Sequence, residues 1–380
     1  MHAATDAGEG SAAAWAAWHA SRPYSVGLEE EVMLLDPGDG WGLARGVDDV
    51  LRRLSPELAA HVAPETQDSV LELATTPHGS VEDAAAQVRV LRARLAHELR
   101  PLGLRAAGAG THPVAVWSDV RISAGERHQQ VYGSMRELAR REPTFGLHVH
   151  VGVADPETAI TLYNRMRCHL PLLLALSANS PYWQGRDTGL SSARTPIFQA
   201  FPRVGVPRAF SSYQHYVTTV DLLMRSGAFP EPTYLWWDVR PQPRFGTVEV
   251  RIMDVQPTSD FTRALVALVQ SIARLELEEG YHVDELTGTI EVLVENRFAA
   301  SRDGMEALLI DPLRETRIPA RIELGRLLEA ARPHAASLGC GDALESIAEL
   351  SRANGASRQR GEFERTGELP AVVARLADDF

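Results

Sequence analysis

The chain has 380 residues, enough for one large domain or two modest ones, and either can bury a substantial core. It is 44% hydrophobic and 23% charged, as expected of a globular protein, and carries a formal net charge of -12. That acidic balance argues against a nucleic-acid surface, which needs clustered Lys and Arg, but leaves nucleotides open where a bound cation carries the positive charge to the phosphates.

The first twenty residues are Ala-rich, and Asp6 and Glu9 stand where a signal peptide needs basic residues. Residues 1–20 are therefore expected as a flexible N-terminus, with 21–380 forming a single domain. The first strand is predicted from Tyr24 to Asp36. Val26, Leu28, Val32 and Leu34 share one face; Gly27, Glu29, Glu31 and Met33 share the other. A short strand follows from Ser69 to Thr75. Ser80-Val-Glu-Asp83 then opens a helix with a capping-box pattern, running to Pro101-Leu-Gly103.

The third strand is predicted from Phe145 to Val153. Phe145, Leu147, Val149, Val151 and Val153 share one face, while His148 and His150 share the other. Asp155-Pro156-Glu157 opens the next helix, with Asp as N-cap and Pro at the first helical position, extending to about Ala178. Residues Asn179 to Phe210 are rich in Gly, Pro, Arg and aromatics and read as a long, ordered functional loop. The fourth strand is predicted from Thr247 to Val255, with Glu249 and Arg251 on one face. Ser259 or Asp260 should cap a helix ending near Gly280. Beyond it the chain reads as helices, with loops around 317–319 and 352–361.

Three strands thus pair an apolar face with a face of ionisable groups. Glu29 and Glu31 on one face lie about 6–7 Å apart and repel unless a cation sits between them. By itself the triple glutamate reads equally as a solvated charge run. His148 and His150 are either hydrogen-bonded histidines or ligands. No HExxH or thiolate cluster accompanies them, and Cys168 and Cys340 stand far apart, so a hard cation such as magnesium or manganese suits them better than zinc. Glu249 and Arg251 form either a surface ion pair or a metal ligand beside a phosphate-binding guanidinium. Walker loop, dinucleotide fingerprint and nucleophile elbow are all missing from the sequence. No apolar run reaches the ~20 residues that cross a bilayer. The expectation is a cytoplasmic protein without membrane or nucleic-acid partners.

The segments assemble into a recognisable set: Gly27-Leu-Glu-Glu-Glu31, Glu72-Leu-Ala-Thr-Thr-Pro77, Gly110-Thr-His-Pro113, and Gly146-Leu-His-Val-His-Val-Gly152. Ala178-Asn-Ser-Pro-Tyr-Trp-Gln-Gly-Arg-Asp187, Trp236-Trp-Asp-Val-Arg-Pro241 and Gly246-Thr-Val-Glu-Val-Arg251 follow. Glu295-Asn-Arg297, Gly304-Met-Glu-Ala-Leu-Leu-Ile-Asp311 and Gly355-Ala-Ser-Arg-Gln-Arg360 complete it. In order and spacing this set resembles the type 2 glutamate–cysteine ligase family, in particular its YbdK-like carboxylate–amine ligase branch.

The resemblance implies an α+β fold like the catalytic domain of glutamine synthetase. That is a curved, mostly antiparallel sheet forming a funnel, with helices packed on its outer face. It implies an ATP- and magnesium-dependent ligase that joins a carboxylate to an amine through an acyl phosphate, of the kind that makes γ-glutamylcysteine from glutamate and cysteine. By similarity Glu29, Glu31, Glu65, Glu72, His148 and Glu249 are metal ligands. Arg251 holds the transferred phosphate, and Glu249 and Arg251 are the catalytic pair. His150 is assigned to the nucleotide end, and Thr111, His112, Arg186, Arg194, Asp238 and Arg240 to substrate contacts. Family habit adds a homodimer, and the segment Tyr182–Phe210 is a candidate lid. Guanidino kinases share the broad architecture, so phosphotransfer is the alternative activity, followed by metal-dependent hydrolysis or simple ligand binding.

Overall fold

In the computed structural model, residues 13–140, 143–282 and 288–380 are described. Val, Leu and Met favour the pleated, half-buried setting of a sheet, and they build its long central strand, Val26–Asp36 (β1). The main sheet also contains Gly42–Leu43 (β2), Val62–Pro64 (β3), Val70–Ala74 (β4), Arg105–Ala107 (β5), Gly146–Gly152 (β6), Val239–Gln242 (β7) and Thr247–Asp254 (β8). Its order is β7-β8-β6-β1-β4-β3, with β2 and β5 also pairing with β1, and every pairing is antiparallel. The four strands expected from alternation are thus present, each within two residues of its expected ends.

The helices that frame the sheet and the sites below include Val81–Leu99 (α1), Pro156–Ser177 (α2), Ser259–Glu278 (α3), Ile290–Asp303 (α4), Ala320–Leu338 (α5) and Gly355–Thr366 (α6). Ser80 and Asp155 cap α1 and α2 as expected, accepting from the N–H groups of Asp83 and Thr158. The cap of α3 is Thr258, one residue before the expected Ser259. Its backbone is extended and its hydroxyl accepts from the Phe261 N–H at 3.3 Å.

The apolar faces of β6 and β8 and the start of β1 pack behind the sheet. Val26, Leu28, Leu147, Val149, Val248 and Val250 share one core with Leu162, Met166 and Leu170 of α2 and Leu265, Leu268 and Ile272 of α3. Each fully buried Leu or Ile there contributes about 1.5–3 kcal/mol. Met33, further along β1 on the face of Glu29 and Glu31, is buried in a second core. There it joins Leu34, Leu71, Leu95 and Leu376.

Three segments expected as loops contain regular secondary structure. Within 179–210 two short strands pair, Tyr182–Trp183 with Arg186–Asp187, and Arg194–Phe198 is helical. Ser192, Arg194, Thr195 and Phe210 are buried there. Thr316–Pro319 pairs with Leu308–Asp311, which buries Leu309 against Ile318. The loop expected at 352–361 is largely α6. Asn354 caps it, and Gln359 donates to the backbone and side-chain oxygens of Asn179 at 2.9 and 2.8 Å. Tertiary contact there overrides the low helix propensity of Gly355 and Gly361.

Of the segment expected to be flexible, residues 1–12 lie outside the described residues. Residues 13–20 lie on the domain: the Trp18 indole donates to Val153 O at 3.3 Å and the His19 N–H to Pro243 O at 2.9 Å. Among the described residues no helix is long and apolar enough to cross a membrane.

Candidate active site

The register of the sheet sets the polar residues side by side. Glu72 of β4 lies opposite Glu31 of β1, Glu29 of β1 opposite His148 of β6, and His150 of β6 opposite Glu249 of β8. Arg240 of β7 closes the row opposite Glu249. Because alternate side chains share a face, all of them project from the side of the sheet away from α2 and α3. They meet a cavity of about 670 Å³ lined by Glu29, Glu31, Glu65, Glu72, His148, Arg194, Arg240 and Arg251. Trp15, Phe198, Phe201, Trp236 and Phe245 contribute apolar wall.

Two groups of ligand-type atoms form within this row. Glu29, His150 and Glu249 make one; Glu29, Glu72 and His148 make the other, and in each the atoms lie within 4.8 Å of one another. Glu29 is common to both. Its Oε2 lies 3.0 Å from His148 Nδ1 and its Oε1 lies 3.2 Å from His150 Nε2. Glu31 Oε1 is 3.7 Å from His148 Nε2, and its other oxygen accepts from the Gly146 N–H at 2.5 Å. His150 Nδ1 is held by Thr247 Oγ1 at 2.9 Å, which turns Nε2 toward the carboxylates. His148 Nε2 and His150 Nε2 are buried and make no well-aligned hydrogen bond among the described residues, their nearest acceptors being Glu31 Oε1 at 3.7 Å and Glu29 Oε1 at 3.2 Å.

Charge in the row is uneven. Burial opposes ionisation of Glu249, but Arg240, Arg251 and the two histidines outweigh it and hold the carboxyl well below the usual range. Arg240 Nε donates to it at 2.7 Å, Gln242 Nε2 at 2.6 Å, and Arg251 Nη1 donates to its other oxygen. Glu29 is likewise held low, its burial outweighed by His150 and His148. At the far end the balance reverses. Burial and the neighbouring Glu31 push Glu65 up to about 7. Burial with Glu29, Glu65 and Glu31 pushes Glu72 well above a normal carboxylate. Burial and the Arg251 charge keep His148 low, whereas Glu249 and Glu29 overcome burial to raise His150. This is a carboxylate-rich cleft with more negative charge than Arg251 and Arg240 can balance.

A family model described as glutamate–cysteine ligase family 2 matches residues 25–375. The chain belongs to this family. It is therefore an enzyme of the ligase class. A relative in Rubrobacter xylanophilus, named "Putative glutamate--cysteine ligase 2-1", is 40% identical over 362 residues, covering 93% of this chain and 94% of its own length. One in Sorangium cellulosum, "Putative glutamate--cysteine ligase 2", is 37% identical over 359 residues, covering 93% and 96%. Among solved structures, the glutamate–cysteine ligase of Francisella tularensis in complex with AMP aligns with a TM-score of 0.62. The identity is 16%, and 95% of this chain and 93% of that one are covered. The bifunctional glutathione synthetase of Pasteurella multocida aligns with a TM-score of 0.71 at 14% identity, covering 94% of this chain and 52% of that one. These likenesses establish the α+β, mostly antiparallel fold for this ligase.

Within that fold the sequence-derived residues divide. Glu29, Glu31, Glu65, Glu72, His148, Arg194, Arg240 and Arg251 line the cavity, while His150 and Glu249 are buried against the lining residues Glu29, Arg240 and Arg251. Four substrate candidates do not line it: the polar groups of three hold the scaffold, and the fourth is exposed elsewhere. Thr111 Oγ1 donates to Tyr182 O at 2.7 Å. His112 binds Trp41 O through Nε2 at 2.9 Å and accepts from the Val114 and Ala115 N–H groups through Nδ1. Asp238 takes Arg297 Nε at 2.6 Å and so docks α4. Arg186 is exposed on its short hairpin. Arg194 combines both roles: it lines the cavity while donating to Ile252 O and Arg251 O at 3.1 and 3.3 Å. Gln242, which donates to Glu249, is the cleft residue that sequence reading missed. It sits two residues after Arg240 on β7, and the same period-two alternation predicts its face.

Proposed function

We propose that this ligase uses ATP to activate a carboxylate as its acyl phosphate and passes it to an amine. The observation that carries the proposal is the row Glu72–Glu31, Glu29–His148 and His150–Glu249, paired in register beside Arg251.

The residues fit a pair or more of hard cations. Buried His148 Nε2 and His150 Nε2, turned toward the surrounding carboxylates, offer the mixed oxygen and imidazole set that suits magnesium or manganese. Glu65 and Glu72 carry raised affinities for protons for the same reason that they would welcome a cation. Bound magnesium supplies neutralisation of phosphate charge and alignment of the transferred phosphoryl group.

The chain's own residues supply the rest. Glu249 fixes Arg251 through Nη1, and Arg251 Nε is buried without a partner among the described residues, leaving it to a phosphate oxygen. Arg240 and Gln242 keep Glu249 in place. The substrate carboxylate attacks the γ-phosphorus and ADP departs. The amine then attacks the acyl carbon and phosphate departs, leaving an amide. Phe198, Phe201, Trp236 and Phe245 shield the acyl phosphate from water.

The acid is L-glutamate and the amine L-cysteine in this reading, a choice supported by the names of the relatives. The test is ADP release with magnesium and ATP across a panel of amino acids and amines, with the product weighed by mass spectrometry. Release requiring both co-substrates, with an amide product, is expected. A stable phosphorylated product formed without an amine would instead make the enzyme a phosphotransferase.

A further inference from the structure

A second group of ligand-type side chains lies behind the sheet, in the helical layer. His169 of α2 and Glu276 of α3 are buried where these helices pack, and His282 follows the turn at Gly280 that ends α3. His169 Nε2 lies 2.6 Å from Glu276 Oε1, and His282 Nδ1 lies 2.7 Å from the same oxygen. The two ring nitrogens are 3.1 Å apart. Two imidazoles therefore aim at one carboxylate oxygen and at each other. A point about 2.0–2.1 Å from all three atoms, the reach of zinc to nitrogen or carboxylate oxygen, lies just off their common plane.

The surroundings resemble a built site rather than a surface cluster. The Glu276 side chain is 0% exposed, His169 2% and His282 15%. The His282 N–H donates to Glu276 Oε2 at 3.2 Å and fixes the carboxylate, while the Tyr281 ring stacks on His169. Both imidazoles also face a cavity of about 270 Å³ walled by Leu172, Leu293, Leu309, Ile318 and Leu327.

We infer that His169, Glu276 and His282 form a second metal centre, for a transition cation of the zinc class, with its fourth coordination position open to this cavity. Two imidazoles and one carboxylate select zinc over magnesium, unlike the carboxylate-rich row across the sheet. The centre ties α2 to the turn after α3 and owes nothing to the ligase reading.

The test uses the full chain, stripped with chelator and titrated with zinc, then with cobalt as a spectroscopic probe. The wild type is expected to bind one zinc that survives Glu29→Gln. That zinc should be weakened in His282→Gln and in His169→Gln by at least the roughly 10–100-fold that loss of an outer-shell partner costs. Zinc binding unchanged in both histidine variants, or lost in Glu29→Gln, overturns the assignment. His282 is partly exposed beyond the end of α3, so its variant should fold. Should the His169 variant fail to, cobalt in the wild type decides. Intense tetrahedral absorption that His282→Gln abolishes supports the centre; only weak octahedral absorption refutes it.

Discussion

Glu30 and Arg92 form a forked ion pair in the protein interior, Nε to Oε2 at 2.8 Å and Nη2 to Oε1 at 2.7 Å, with both side chains 1% exposed. Thr262 adds a hydroxyl to the same carboxylate at 2.6 Å, and Arg92 also donates to Gln256 O and Pro257 O. The pair fastens α1 and the start of α3 to β1, directly beneath the strand that presents Glu29 and Glu31. Removing one partner leaves a buried charge uncompensated. Arg92→Met should therefore cost about 3–5 kcal/mol, read as a fall in the urea midpoint. Adding Glu30→Gln to it should cost less than the sum of the two single changes. Strict additivity would show that the two side chains do not act as a unit.

Glu29 and Arg251 give the cleanest tests of the cavity. Glu29 is partly open to it, so Glu29→Gln should keep the fold while lowering turnover by about 10²-fold or more. Arg251→Lys should lose a similar factor, since an ammonium cannot both hold Glu249 and reach a phosphate oxygen. Glu249→Gln is a different case. Its carboxylate is 0% exposed and balances Arg240 and Arg251, so that variant should also melt at lower temperature. Wild-type turnover in Glu29→Gln or Arg251→Lys would remove their assigned roles.

His112 makes the fold sensitive to acid. Its Nδ1 accepts two backbone N–H groups, so a proton there would face two donors. Burial pushes its pKa from 6.5 down to about 4, only partly offset by the bond to Trp41 O. The unfolded chain therefore binds this proton first. The stabilisation is complete above pH 6.5 and is lost as pH falls toward about 4. A gap of about 2.5 units corresponds to about 3 kcal/mol. Urea titrations at pH 7.5 and pH 5 should show this loss in the wild type and a shallower one in His112→Asn. Equal slopes would show that His112 does not titrate this way.

Gly146 has no room for a side chain. A Cβ there would lie 2.3 Å from Arg194 Nη2 and 3.1 Å from His148 Nε2. Gly146→Ala should shift Arg194 and the His148–Glu31 contact. A misplacement of about 1 Å costs on the order of 10²-fold in rate, and the strain about 1–3 kcal/mol. A crystal structure of the variant, with its turnover, checks both; an unmoved Arg194 with normal turnover would contradict the reading.

Much of the cleft was legible in period-two alternation. Placing Glu29 and Glu31, His148 and His150, and Glu249 and Arg251 on polar strand faces required only that each strand have one apolar side. The α+β class followed from the same strands and from the capped helices between them. Alternation also contained Gln242, through Arg240, although it was not read that way. It did not disclose Glu30, which breaks the apolar face of β1 and is tolerated because Arg92, 62 residues away, neutralises it.

The strand faces were therefore determined locally, by side chains that alternate along an extended backbone. What the linear order left open was which strand lies beside which. Only antiparallel pairing in the folded sheet sets Glu31 against Glu72, Glu29 against His148 and His150 against Glu249. The same holds for Thr111, His112 and Asp238. Their motifs are polar, but whether such a group meets substrate or a protein partner depends on neighbours far along the chain, and most buried polar groups find a partner within the fold.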